Sequence, residues 1–275
     1  MTSITSTTTS APVSRSNRLA RTLAVGLVAG FLSGLFGVGG GILIVPALVM
    51  VLGFDQRLAH GTSLAAVLPI AVSSMTSYAL ADKIDWSVGL FLAIGAVAGA
   101  VVGTHILHRL PHDVLAIGFA LILVATALRL VFDHSHADGR GVLGVVGAIS
   151  LVLIGLGTGV LAGLLGVGGG IVMVPAMVVG FGIPAVIAKG TSLVVIVPTA
   201  LMGTWRNRTK NNADIRTAVI VGLAGVVSAF VAGKISVGMS ESLSNVLFSI
   251  LLLVVAARMI WQLLQSRRQA PASAS

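Results

Sequence analysis

Apolar residues in this chain do not alternate with polar ones; they run on in long blocks. Predominantly apolar stretches occupy residues 58–81, 86–107, 114–132, 192–205, 218–233 and 243–264. About 20 such residues make a helix that crosses a hydrocarbon core about 30 Å thick. Transmembrane strands would instead alternate apolar and polar positions over about ten residues. The pattern therefore predicts an all-α integral membrane protein and sets a β-barrel aside.

One block is too long for a single crossing. As one straight helix, residues 22–52 would extend about 46 Å, well beyond the hydrocarbon core. That segment must tilt strongly or break, and Gly37-Val38-Gly39-Gly40-Gly41 is where a break is cheapest, glycine being the poorest ordinary helix former. It reads as two half-helices, 22–36 and 42–52, joined by a glycine loop inside the protein. A second segment of the same kind reads as 151–165 and 171–181.

The recurrence has a fixed interval. Moved along itself by 129 residues, the distance from Gly37 to Gly166, the chain matches itself. Gly30, Gly34, Gly37, Gly39, Gly40, Gly41 and Pro46 fall on Gly159, Gly163, Gly166, Gly168, Gly169, Gly170 and Pro175. In the same register Gly61-Thr62-Ser63-Leu64 meets Gly190-Thr191-Ser192-Leu193, Pro69 meets Pro198, Asp85 meets Asp214 and Phe119 meets Phe248. One offset kept without a gap over about 110 residues marks a duplication. The chain then divides into a basic tail over 1–20, a first repeat over 21–132, a linker over 133–149, a second repeat over 150–264 and a tail over 265–275. The first tail is expected to be disordered; a transit peptide or signal region is the other reading of its Ser, Thr and Arg content. Each repeat is a glycine-broken re-entrant or kinked helix followed by three spanning helices.

Loop charge orients the repeats. One loop carries Asp82, Lys83 and Asp85, whereas its counterpart carries Arg206, Arg208, Lys210, Asp214 and Arg216. Positive loops stay cytoplasmic, so equivalent loops fall on opposite sides and the repeats are inverted. Both termini, Arg109 and the 206–216 loop then face the cytoplasm, and the 133–140 linker faces out. Parallel repeats with four crossings each also leave both termini inside, but they put Asp82 and Asp85 there too, a poorer fit.

Composition sharpens this picture. Charged residues are 9% of the chain against 56% hydrophobic. A soluble domain carries roughly 25% charged residues, so this chain cannot cover a water-facing surface and its partner is the lipid bilayer. The net charge of +9 sits in loops and tails without interleaved aromatics, which argues against nucleic acid. The absence of cysteine removes disulfides and thiolate metal ligands.

Candidate chemistry gathers at the glycine loops. Irregular backbone is tolerated at membrane depth only where it is buried in protein or lines a cavity. A helix amino terminus carries roughly half a positive charge, and glycine lets an anion approach its free amides. Gly37, Gly39, Gly40 and Gly41, with Gly166, Gly168, Gly169 and Gly170, are therefore candidate substrate-binding positions, two helix starts converging near the midplane. The competing reading is tight helix packing, the role expected of Gly30, Gly34, Gly95, Gly99 and Gly103. Thr62, Ser63, Thr191 and Ser192 open the next helices, where they would cap the helix or donate to an oxyanion. Lys189 could attract an anion or snorkel to the interface; its counterpart is His60. Pro46, Pro69, Pro175 and Pro198 are candidate hinges, each removing one helical bond.

All eight carboxylates (Asp55, Asp82, Asp85, Asp113, Asp133, Asp138, Asp214 and Glu241) fall in expected loops or helix ends. Cation and proton pumps keep acids inside the membrane, so the cargo reads as anionic. His105, His108, His112 and the 133–138 segment form only a loose cluster, and no metal or cofactor is expected. No enzyme reading fits: the serine of the first motif, Ser33, is Ala162 in the second, and no His-Glu-x-x-His occurs.

With its paired Gly-x-Gly-Gly-Gly-x(4)-Pro runs, each followed by Gly-Thr-Ser, the chain resembles the TauE/SafE family of sulfite and organosulfonate exporters over about residues 21–264. The resemblance implies a bacterial plasma-membrane permease for sulfur-containing anions such as sulfite, thiosulfate or sulfonates. From the residues alone the cargo is a small anion moved by alternating access. The rival expectations are a carrier of carboxylates or neutral solutes, or a non-transport assembly subunit. Oligomeric state is not legible.

Overall fold

A computed structural model describes residues 15–106, 112–132, 144–165, 169–209 and 211–269. Within them lie ten helices and no strand. In order these are α1 (Arg15–Phe36), α2 (Gly41–Leu52), α3 (Gln56–Ala79), α4 (Trp86–Ile106), α5 (His112–Phe132), α6 (Val145–Leu165), α7 (Gly170–Phe181), α8 (Ala185–Thr209), α9 (Ile215–Gly238) and α10 (Glu241–Gln269). Five stretches, Asn17–Phe36, Gln56–Ala79, Ala185–Thr209, Ile215–Gly238 and Glu241–Trp261, are long and apolar enough to cross a membrane.

The outside of the bundle is greasy. Leu27 and Phe31 on α1, Leu90 and Ile94 on α4, Leu223 and Val227 on α9, and Ile250 and Val254 on α10 are exposed. Each pair stands one helical turn apart, so whole apolar stripes face outward. Lipid is the solvent that suits such a surface.

Small residues bring the helices together. α1 lies along α9 with residue numbers rising together: Gly26, Gly30 and Gly34 rest against the backbone carbonyls of Val221, Gly225 and Ala229. The pairing of α4 with α6 follows the same rule, with Gly155 and Gly159 against the carbonyls of Leu92 and Ala96, and Gly95 and Gly99 against those of Val152 and Leu156. A β-carbon at any of these positions would overlap a carbonyl oxygen. The packing role expected of Gly30, Gly34, Gly95 and Gly99 is therefore met.

Two hydrogen bonds fix the direction of α3 against α8. Near the start of α3, Thr62 Oγ1 accepts from the amide of Asp214, just past the end of α8, at 2.9 Å. Near the start of α8, Thr191 Oγ1 accepts from the amide of Asp85, just past the end of α3, also at 2.9 Å. The helices are antiparallel. One end of the bundle carries the α3–α4 turn and the other the α8–α9 turn, and these faces serve as reference below.

Several boundaries differ from the hydropathy reading. The helical break after Phe36 falls where expected and α7 begins at Gly170, close to the expected 171, but α1 begins at Arg15 and α6 at Val145. The pieces before the breaks are thus 22 and 21 residues long, full-length helices rather than half-helices. Apolarity alone stopped the first piece at residue 22, yet an interfacial helix accommodates arginines whose stems lie along it. α1 accordingly takes in residues 15–20 of the expected tail. The pieces after the breaks are short, 12 residues each. Thr62 and Thr191 do not open their helices either: α3 starts at Gln56 and α8 at Ala185. Asp55 caps α3, accepting from the amides of Arg57 (2.8 Å) and Leu58 (3.0 Å).

Candidate functional site

Gly40 and Gly169 perform the same local task. Each precedes a 12-residue helix in the left-handed region, with φ 73° and ψ −14° for Gly40 and φ 76° and ψ −15° for Gly169. Side chains rarely adopt that conformation. The Gly40 carbonyl accepts the first bonds of α2 from Leu43 and Ile44, both at 3.1 Å. The Gly169 carbonyl accepts those of α7 from Val172 (3.1 Å) and Met173 (3.2 Å). Amides at 41–42 and 170–171 precede these bonds and have no helical carbonyl to reach.

The two helix starts meet inside the bundle. A methyl group on Gly39 would touch Ile196 at 3.1 Å and Val67 at 3.3 Å, residues at the middle of α8 and α3. One on Gly170 would meet Ile196 Cδ1, the Gly37 carbonyl oxygen and Val38 Cα at 2.7, 3.0 and 3.1 Å. Gly37, Gly39, Gly40, Gly41, Gly169 and Gly170 are all buried. Gly166 and Gly168 lie outside the described residues, as do His108 and residues 133–138.

The hydroxyls serve the frame of this junction. Thr62 and Thr191 hold the turn amides of Asp214 and Asp85. The Ser192 hydroxyl lies 2.6 Å from the carbonyl oxygens of both Gly37 and Lys189, tying α8 to the first glycine loop. Ser63 is fully buried beside Thr62. Tyr78, which sequence reasoning missed, donates to the Gly34 carbonyl at 2.9 Å and contacts Ser236 Oγ at 2.9 Å. Ser236 in turn donates to the Leu35 carbonyl at 2.8 Å. Both carbonyls belong to the last turn of α1, where helical partners run out, so this pair secures the chain just before Gly37. A lone tyrosine in an apolar run gives no hint of that role.

Lys189 does not snorkel. It is 1% exposed, the sole charged side chain among the buried residues described. Its Nζ donates to Ser244 Oγ at 2.7 Å and lies 5.0 Å from the Phe248 ring centroid and 5.8 Å from that of Phe36. No described carboxylate pairs with it. The backbone of Lys189 abuts Gly37, and its Nζ faces the ring of Phe36, the residue that precedes the first glycine loop. Phe36, Ser244 and Phe248 carried no sequence signal that would have joined them to Lys189.

The four prolines lie within continuous helices: Pro46 in α2, Pro69 in α3, Pro175 in α7 and Pro198 in α8. Pro69 packs on Gly222 of α9. The described carboxylates keep to helix ends, as expected. Asp214 accepts from the Thr217 amide (3.1 Å) and hydroxyl (2.7 Å) at the start of α9. Asp85 accepts from the Val88 amide (3.1 Å) at the start of α4, and Glu241 lies in the first turn of α10.

Helical spans, an apolar exterior and short helices that begin on buried glycine define a multi-pass membrane protein. The profile of the family described as "Sulfite exporter TauE/SafE" matches residues 2–130 and 151–275, and the chain belongs to that family. It is 24% identical over 267 residues to "Probable membrane transporter protein YunE" of Bacillus subtilis (strain 168), covering 87% of this chain and 96% of the relative. It is 29% identical over 250 residues to a "Probable membrane transporter protein" of Xylella fastidiosa (strain 9a5c), covering 88% and 94%. "Sulfite exporter TauE/SafE family protein 3" of Arabidopsis thaliana is 29% identical over 125 residues, covering 45% and 25%.

Proposed function

We propose that this protein is a permease for small anions, sulfur-containing oxyanions or organosulfonates in particular, working by alternating access between two inverted repeats. The observation that carries the reading is the meeting of two glycine-started helices, α2 and α7, against the middles of α3 and α8. Helix starts favour negative charge, and glycine keeps side chains off their amides. The names of the relatives support transport, and the family description supports sulfur-containing cargo.

Inversion of the repeats is supported by the reciprocal bonds Thr62–Asp214 and Asp85–Thr191, in which Thr62 and Thr191, and likewise Asp85 and Asp214, stand 129 residues apart in matching roles. Helices equivalent by that interval, α3 and α8, run in opposite directions. Charge agrees. α1 is parallel to α9, so Arg18 and Arg21 gather on the α8–α9 face with Arg206, Arg208 and Arg216. The positive-inside rule makes that face cytoplasmic, with both termini inside a plasma membrane.

Uptake into proteoliposomes tests the proposal. Labelled hydrogen sulfite and a short sulfonate, each singly charged, should enter saturably, with thiosulfate, which carries two charges, entering more slowly and with weak competition from carboxylates. In Gly170→Ala the added methyl presses on Ile196 and the Gly37 carbonyl where the loops meet, and uptake should fall at least tenfold. Gly157→Ala, with nothing within 4 Å of the added carbon, should transport as the parent does. Failure of all three anions to enter, or normal uptake by a folded Gly170→Ala, would overturn the reading.

A further inference from the structure

We infer that Lys189 makes the site selective for singly charged anions and draws the bound anion off the midplane toward the α3–α4 face. This rests on the anion-carrier reading of the glycine loops. The described partners of the ammonium group are all neutral: the hydroxyl and carbonyl of Ser244 and the rings of Phe36 and Phe248. Burying an isolated charge is costly unless an opposite charge joins it, and no described carboxylate does. Phe36 and Gly37 are consecutive, Gly37 lies on the Lys189 backbone and the Phe36 ring faces Nζ, so Lys189 is the buried charged residue, among those described, that borders the first glycine loop. The amides of α2 and α7 attract anions but form dipoles without net charge, so the net charge of the filled site is decided by Lys189. A monoanion leaves that site neutral; a dianion leaves one uncompensated negative charge in the membrane.

The lysine is not duplicated. Its counterpart, His60, is half-buried near the α8–α9 face. Lys189 lies near the start of α8, on the side of the loop junction toward the α3–α4 face, which Thr191 marks through Asp85.

Isothermal calorimetry of the purified full chain at pH 7 tests this with methanesulfonate, which carries one charge, against fluorophosphate and sulfate, which are tetrahedral and carry two. Methanesulfonate should bind the parent at least about thirtyfold more tightly than either dianion, the scale expected for an unpaired buried charge. Lys189→Met, verified as folded by its melting curve, should lose methanesulfonate binding, and Ser244→Ala should weaken it several-fold. The comparison within the parent protein needs no variant, so it decides even where Lys189→Met does not fold. Dianions binding as tightly as methanesulfonate, or undiminished binding by folded Lys189→Met, overturns the assignment. In that event, loss of binding in Gly170→Ala leaves the anion-site reading standing. A parent protein that binds none of the three anions sinks both.

Discussion

On the proposed alternating-access reading the two threonine bonds are latches, one at each end of the α3–α8 pair, and each can be cut separately. Thr191→Val keeps the side-chain shape but removes the oxygen that accepts from the Asp85 amide at 2.9 Å; Thr62→Val does the same to the Asp214 amide. Both threonines are fully buried, so each change strands a turn amide where it has little access to water. Leaving such a donor unsatisfied costs about 1–3 kcal/mol, which shifts the closing equilibrium of that end by a factor of about 5 to 150. The chain has no cysteine, so Val67→Cys, fully buried at the middle of α3, supplies a unique reporter. A membrane-impermeant maleimide would be applied from either side of oriented vesicles. Thr191→Val should raise labelling from the α3–α4 face alone, and Thr62→Val from the α8–α9 face alone. The pair is informative because the same chemical change is made at equivalent positions and opposite outcomes are expected. Labelling raised from one common face by both variants, or unchanged by both in folded protein, would refute the reasoning.

Four further tests concern the frame. Gly30→Ala drives a methyl into the Gly225 carbonyl and should cost about 1–3 kcal/mol by overpacking, read as a lower melting temperature in detergent. Gly157→Ala meets nothing within 4 Å and should be neutral or up to about 1 kcal/mol stabilising, since alanine is the better helix former. Tyr78→Phe removes the hydroxyl that holds the end of α1 and should destabilise by about 1–3 kcal/mol, with a matching loss in Ser236→Ala. Asp214→Ala removes the α9 cap at a cost of about 1 kcal/mol, while the Thr62 latch, which uses the backbone amide of residue 214, keeps its donor.

The all-helical class and the positions of the glycine breaks were legible because both follow from strong local signals: apolar runs long enough for lipid, and clustered residues that a helix disfavours. Family membership was legible from the repeated motif. Helix starts were not. Arg15 through Arg21 look like a tail by hydropathy, yet polar residues at an interface extend a helix freely, and the same holds for Gln56 before Gly61-Thr62-Ser63. The threonines were read as caps or ligands because those are their commonest roles at a helix start. Six residues into the helix they instead reach across to another element, a contact no local pattern encodes. Lys189 illustrates the other limit. Its burial depends on Ser244 and Phe248, more than fifty residues away, and composition cannot tell a snorkelling lysine from an enclosed one.

Loop charge and hydrogen bonding support the proposed inversion by independent routes. Charge compares an acidic turn with a basic one and uses only the preference of positive loops for the cytoplasm. The threonine bonds ignore charge and use only which helix end touches which turn. Their agreement constrains motion. With α3 and α8 antiparallel and the starts of α2 and α7 lodged between their midpoints, separating the pair at one face pivots it about Val67 and Ile196 and presses the opposite ends together. Under the proposed alternating access, one latch then breaks while the other tightens, and the glycine loops are exposed to either face without being exposed to both. A carrier needs that property, and a pore lined by the same loops would lack it.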